Sequence, residues 1–174
     1  MSPLSVRLPT ERLVLRPTVP ADVVRALEIR SDPAVARNLA SATIPPDMLK
    51  MTGWFATHAQ EWQEGSAYRF AITLDDRFIG VCDIFDVAQG EGEIGYWLDR
   101  DAWGKGYGLE AARRLVRFGL EDLGLTSLVA GCADDNATSA AILIRLGFTR
   151  LANVRIFSTS RHEEITQRRF RLTA

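Results

Sequence analysis

At 174 residues, 47% of them hydrophobic and 25% charged, the chain has the length and composition of one soluble globular unit with a single sizeable core, which excludes a disordered tail. A formal net charge of -1 gives no overall field to recruit nucleic acid or an anionic membrane surface. No run approaches the roughly 20 apolar residues that cross a bilayer.

TERLVLRP (10–17) alternates Leu13 and Leu15 against Arg12, Val14 and Arg16, and Pro17 closes it, so a strand is expected. PADVVRALEIRSD (20–32) brings Val23, Val24, Leu27 and Ile29 onto one side of a short helix opened near Pro20. In 45–65, Met48, Met51, Trp54, Phe55, His58 and Trp62 recur at helical spacing between Pro-Pro-Asp and Gly65, a second amphipathic helix in which His58 reads as a packing residue. YRFAITL and RFIGVCDIFDV are two strands joined at Asp75-Asp76 as a hairpin, and EGEIGYWLD (91–99) is a third. A helix over 106–123 stops at Gly124, a buried strand takes 126–132, and a helix over 136–148 starts at Asn136 and ends at Gly147. FTRLANVRIFS and EITQRRFRL alternate as two last strands. This order describes a mixed, layered α/β domain spanning 1–174, antiparallel in its front half, with one strand–helix–strand crossover.

Cys82 and Cys132 lie in apolar runs without metal-ligand spacing and read as ordinary buried thiols, which suits a reducing cytosol. The opening MSPLSVRLPTERLVLRP lacks the continuous apolar stretch of a secretion signal, so a cytoplasmic protein is expected.

DAWGKGYGLEAARR (101–114) puts Gly104, Gly106 and Gly108 around Lys105 and runs straight into a helix. Alternate glycines expose backbone N–H groups and a helix N-terminus concentrates them, so an anion site is the plain reading. A P-loop fails, because no Gly-Lys-Ser/Thr triplet is present. GYGLEA (106–111) does satisfy the dinucleotide pattern Gly-x-Gly-x-x-Ala, but DRDAW separates it from the preceding strand and antiparallel strands come first. A tight turn that merely reverses the chain is the third alternative.

EIGYWLDRDAWGKGYGLEAARRLVRFGLEDLGL followed by NATSAAILIRLGF resembles the GCN5-related N-acetyltransferase (GNAT) family. With the opening TERLVLRP, the resemblance extends to the branch acting on ribosomal-protein N-termini (RimJ/RimL-type). It implies the family's fold: a central, mostly antiparallel twisted sheet splayed between its fourth and fifth strands, with helices on both faces. It also implies acetyl-CoA as cofactor, its pyrophosphate on the backbone of Trp103, Gly104, Lys105, Gly106, Tyr107, Gly108 and Leu109, with Trp103 where the family usually has Arg or Gln. The pantetheine arm would pair with backbone groups near Trp97 and Leu98, and Gly95 would sit at a bulge that starts the splay. The segment from about Arg30 to Ile44 would lie over the acceptor end of the groove.

Direct attack by an amine on a thioester needs a neutral amine, a polarised carbonyl and a protonated leaving sulfur. An α-amino group, at about 7.7–8.0, is partly neutral already, whereas a lysine at about 10.4 costs about 4 kcal/mol to deprotonate at neutral pH. Glu93 is the candidate base, with Asp83 and Asp86 next; together with Glu91 they make a locally acidic patch. The family's usual tyrosine slot is Leu143, which has no proton to give. Ser139 is therefore the candidate donor to the sulfur, and Asn136 a candidate ligand of the pantetheine amide, although a helix cap and a small packing residue explain the pair equally well. The expected activity is acetyl transfer to a primary amine, a protein N-terminus or a small molecule. A non-catalytic acyl-CoA-binding module is the reading from another class.

Overall fold

The computed structural model describes residues 5–174. One nine-stranded sheet organises them: β1 (Leu8–Pro9), β2 (Val14–Pro17), β3 (Tyr68–Leu74), β4 (Arg77–Ala88), β5 (Glu91–Leu98), β6 (Ser127–Ala133), β7 (Thr149–Arg150), β8 (Val154–Ser158) and β9 (Glu163–Thr173). The strands lie in the order β1-β2-β3-β4-β5-β6-β9-β7, and β8 pairs with β9. Every pairing is antiparallel except β5 with β6.

Between them run α1 (Val23–Arg30), the one-turn α2 (Pro33–Ala36), α3 (Met48–Glu64), α4 (Tyr107–Arg117), which continues as a wide π turn to Asp122, and α5 (Ala137–Arg145). Local chemistry sets their ends. The Asp47 side chain caps α3 by accepting from Lys50 N, and Gly65 ends it in the left-handed region. The Asn136 side chain caps α5 in the same way, accepting from Ser139 N. Asp75 and Asp76 both adopt positive φ, the backbone that a two-residue hairpin needs to match strand twist.

The two sheet faces bury separate cores. Phe70, Ile72, Cys82, Ile84 and Ile94 meet α4 and α5 through Ala111, Leu115, Ala140 and Leu143. Ala71, Phe78 and Val81, the alternate positions, meet α1, α2 and α3 through Ala26, Ile29, Val35, Met51 and Phe55. Helices therefore cover both faces, as expected.

The decisive feature lies between β5 and β6. Their parallel pairing runs from Glu91 opposite Ser127 to Ile94 opposite Ala130 and stops there, although β5 continues to Leu98 and β6 to Ala133. On its other side β5 stays paired with β4 as far as Leu98 opposite Gly80. A wedge opens beyond Ile94, where the splay was expected.

Three expectations change. Gly95 is not at a bulge: it pairs in regular register with Asp83, and a Cβ there would stand 2.8 Å from Asp83 Oδ1. The register breaks lie instead at Ile72/Thr73 and Phe85/Ala88. FTRLANVRIFS is two strands, because β7 and β8 pair with different stretches of the long β9 and residues 151–153 loop out between them. The short β1 and α2 were not foreseen, although Asp32, which accepts from Ala34 N, followed by Pro33 is a recognisable helix start.

Candidate active site

A cavity of about 1230 Å3 follows the wedge from the α4 N-terminus to the α1–α3 side of the sheet. Of the residues singled out from the sequence, Glu93, Trp97, Leu98, Trp103, Gly104, Gly106, Tyr107, Gly108, Leu109, Asn136 and Ser139 all line it. Lys105 does not; its Nζ donates to the Asp101 carbonyl and its own carbonyl accepts from Arg12.

The glycines of the loop do three different things. Gly106, at φ +81°, is the N-cap of α4 and has no side chain to cap with, so the first-turn N–H groups receive no side-chain acceptor, in contrast to α3 and α5. Gly104 takes φ +73° with open space where a side chain would go. Gly108 is close-packed: a Cβ there would lie 3.3 Å from Ile142 Cδ1. Only the first two serve the turn; Gly108 serves packing against α5. Arg12 fastens this loop to the first strands, pairing with Glu110 at 2.7 Å and lying 4.6 Å over the Tyr107 ring. An uncapped helix N-terminus at the mouth of a cavity fits a diphosphate, because oriented N–H groups and the helix dipole both favour negative charge.

Further along the wedge, Trp103 Nε1 donates to the Leu98 carbonyl at 3.0 Å, so that acceptor is already engaged within the protein. Tyr96, on the α4–α5 side of β5, places its hydroxyl 2.9 Å from Ser139 Oγ. Burial pushes this phenol up to about 12, so it stays protonated. Nothing in the sequence near Tyr96 marks it, because its partner lies 43 residues further along the chain. Leu143, in the usual tyrosine slot, is 1% exposed and belongs to the core.

On the opposite face the expected acidic patch is neutralised. Both oxygens of Glu93 accept from Arg169, at 2.6 and 2.8 Å. Glu91 pairs with Arg171 at 3.0 Å, and Asp86 is exposed at the β4 bulge, off the cavity. Asp83 is different. Its Oδ2 accepts from Arg69 Nη1 at 2.6 Å, while its Oδ1 takes no hydrogen bond from any described residue and faces the space that Gly95 leaves. Burial raises this carboxyl to about 6 against the pull of Arg69. The remaining Arg69 donors bind Glu61. His58 packs against Trp54 and Phe55, with Nδ1 2.7 Å from Thr18 Oγ1, and burial lowers it to about 4, a neutral packing histidine. Cys82 and Cys132 are free, buried thiols.

A splayed mixed sheet with an uncapped, glycine-opened helix at its mouth defines an acyl-CoA-dependent transferase. Residues 12–149 match the family described as Acetyltransferase (GNAT) domain, and the chain belongs to that family. It is 32% identical over 150 residues to the uncharacterized N-acetyltransferase p20 of Bacillus licheniformis, covering 81% of each chain. It is 33% identical over 88 residues to the ribosomal-protein-serine acetyltransferase of Escherichia coli, 49% of each. The solved ribosomal L7/L12 α-N-protein acetyltransferase RimL, a coenzyme A complex, superposes with a TM-score of 0.81 over 94% of this chain and 97% of that one; at 18% identity this likeness establishes the fold. The protein is thus an N-acetyltransferase, its acetyl donor is acetyl-CoA, and its acceptor is an amine.

Proposed function

We propose that the acceptor is the α-amine of a peptide or protein N-terminus, with Asp83 receiving its proton and the Tyr96–Ser139 pair serving the leaving sulfur. The observation that carries this is the contrast between the two carboxylates on the acceptor face. Glu93, the residue expected to be the base, has both oxygens engaged by Arg169. Asp83 lines the cavity with Oδ1 unpaired among the described residues and sits near 6. A carboxylate at that value, acting through water, suits an amine of about 7.7–8.0 and is too weak for a lysine at about 10.4. The names of the Escherichia coli and RimL relatives point the same way.

Acetyl-CoA supplies an activated acyl group on a thiol leaving group. The N–H groups opening α4 would hold its diphosphate, and the Asn136 side-chain amide, whose Oδ1 caps α5, keeps its NH2 free for an amide of the pantetheine arm. Ser139 Oγ–H would donate to the sulfur as charge gathers there, and Tyr96 O–H, kept protonated by burial, would donate to Ser139 Oγ in turn. From its ammonium form the nitrogen loses two protons: Asp83 takes the first and returns it to water, and the second, lost as the amide forms, replaces the one that the sulfur gains through Ser139.

Thiol release from acetyl-CoA, followed with three acceptor sets, tests the reading: peptides with a free N-terminus, the same peptides N-blocked but carrying lysine, and small primary amines. We expect turnover with the first set to exceed the second by at least about 10-fold at neutral pH. Faster turnover of the small amines would move the acceptor class, and coenzyme binding without thiol release from any amine would leave a binding module.

A further inference from the structure

Arg30, the last residue of α1, is the one cavity-lining cation on the acceptor face that is both largely buried and unmatched among the described residues. It makes no ion pair and no side-chain hydrogen bond with them, and its Nε is a buried donor without an acceptor. Its guanidinium carbon lies 5.8 Å from the Trp54 ring centre and 5.9 Å from that of Trp97, the outer limit of useful cation–π attraction. The contrast with Arg69 is direct. Arg69 lies against the same Trp54 ring at 5.2 Å, yet its donors are filled by Glu61 and Asp83. An arginine does not shed its proton, so burial without a counter-charge leaves a standing electrostatic cost that a bound anion would relieve. Lys50, exposed at the rim of the same cavity, also makes no ion pair among the described residues.

We infer that Arg30 is the anion-binding subsite of the acceptor pocket, so that the preferred acceptors are primary amines carrying a carboxylate a few bonds from the nitrogen. The planar guanidinium, beside two indoles, has two parallel N–H donors to offer a carboxylate. Arg30 and Arg69 share the Trp54 ring and Arg69 holds Asp83, so one cavity carries both a cation for the carboxylate and a carboxylate for the amine. Two kinds of molecule carry that chemistry: a peptide with an acidic residue just after its N-terminus, and a free amino acid. This inference rests on the acetyl-transfer reading for its substrate and not for its anion.

The test compares matched pairs, a Ser-Asp peptide against its Ser-Asn counterpart and free serine against serinamide, with the wild type, Arg30→Gln and Arg30→Lys. The wild type should favour the acidic member of at least one pair by about 10-fold in kcat/KM, expressed in KM, and the pair that shows it identifies the source. Arg30→Gln should bring that ratio to about one, and Arg30→Lys should keep part of it. Equal rates on both members of both pairs, or a preference that Arg30→Gln retains, overturns the inference. Quenching of tryptophan fluorescence by N-acetylaspartate, with the carboxylate-free N-acetylasparagine amide as control, reads the subsite without turnover. Selective quenching that Arg30→Gln abolishes supports the subsite even when no amine is acetylated, in which case the acetyl-transfer reading fails alone. Turnover without selective quenching sinks the subsite alone.

Discussion

Asp83 and His58 titrate in overlapping ranges and push stability in opposite directions. Asp83 moves from 3.8 to about 6 on folding, so the folded state holds the extra proton; its contribution is present at acid pH and is lost as pH rises through about 6. His58 moves from 6.5 to about 4, so the unfolded state holds the extra proton; its contribution is present above 6.5 and is lost as pH falls toward 4. Between about 4 and 6 the two slopes oppose each other and flatten the wild-type profile. Removing either group exposes the other. Urea midpoints measured from pH 4.5 to 6.5 should rise with pH more steeply in Asp83→Asn than in the wild type, and fall with pH in His58→Gln. Parallel profiles for all three proteins would remove Asp83 from the role of a raised carboxyl. His58 was legible as a packing residue because its apolar helical neighbours are in the sequence. The environment of Asp83 was not legible, because Arg69 and the gap at Gly95 come from the strands on either side.

The glycine-opened helix shows how one short stretch serves local conformation and ligand together. At Gly106 the backbone has φ +81°, and a Cβ would also come within 3.3 Å of an Arg12 Nη atom. A left-handed conformation costs an ordinary L-residue about 1–2 kcal/mol, and a β-branched one more. Gly106→Val should therefore lower stability by about 2 kcal/mol and weaken coenzyme A binding by at least about 10-fold, because relief of the strain must turn the N–H groups of the first turn. Calorimetric titration with coenzyme A, paired with thermal unfolding, measures both. Undiminished affinity would remove α4 from the diphosphate site. That this helix opens on a glycine was readable from alternate glycines before an amphipathic run; that Gly108 serves packing against Ile142 was not, since α5 begins some thirty residues later.

Across the molecule, the wedge between β5 and β6 is braced from a third strand. Arg169 on β9 lies opposite Gly131 on β6 and reaches over it to Glu93 on β5. A Cβ at residue 131 would stand 2.7 Å from Arg169 Nη1, so the glycine is what lets the guanidinium cross. The pair bridges the last stretch where the two strands are still joined, with Glu93 opposite Val129 one step before the pairing stops. Both side chains are about one fifth exposed, 21% and 23%, which puts the interaction between surface and interior ion pairs. Arg169→Met should cost on the order of 1–2 kcal/mol, read as a shift of the urea midpoint. An unchanged midpoint would show that the bridge carries no load.

The sequence by itself determined whatever depends on near neighbours: strand alternation, the Asp47 and Asn136 caps, the Asp75-Asp76 hairpin, the glycine-opened helix, and so the family and its cofactor. Those signals are set by backbone geometry within a few residues. The tertiary structure decided which charges are spent and which are open. Glu93 and Arg169 are 76 positions apart in the chain, and no local pattern announces their pairing. Nor does any pattern announce the phenol of Tyr96 meeting Ser139, 43 positions on, or Arg30 lying near two indoles with no ion pair among the described residues. Ionisation follows from burial and from the nearest opposite charge, and both are properties of the folded sheet.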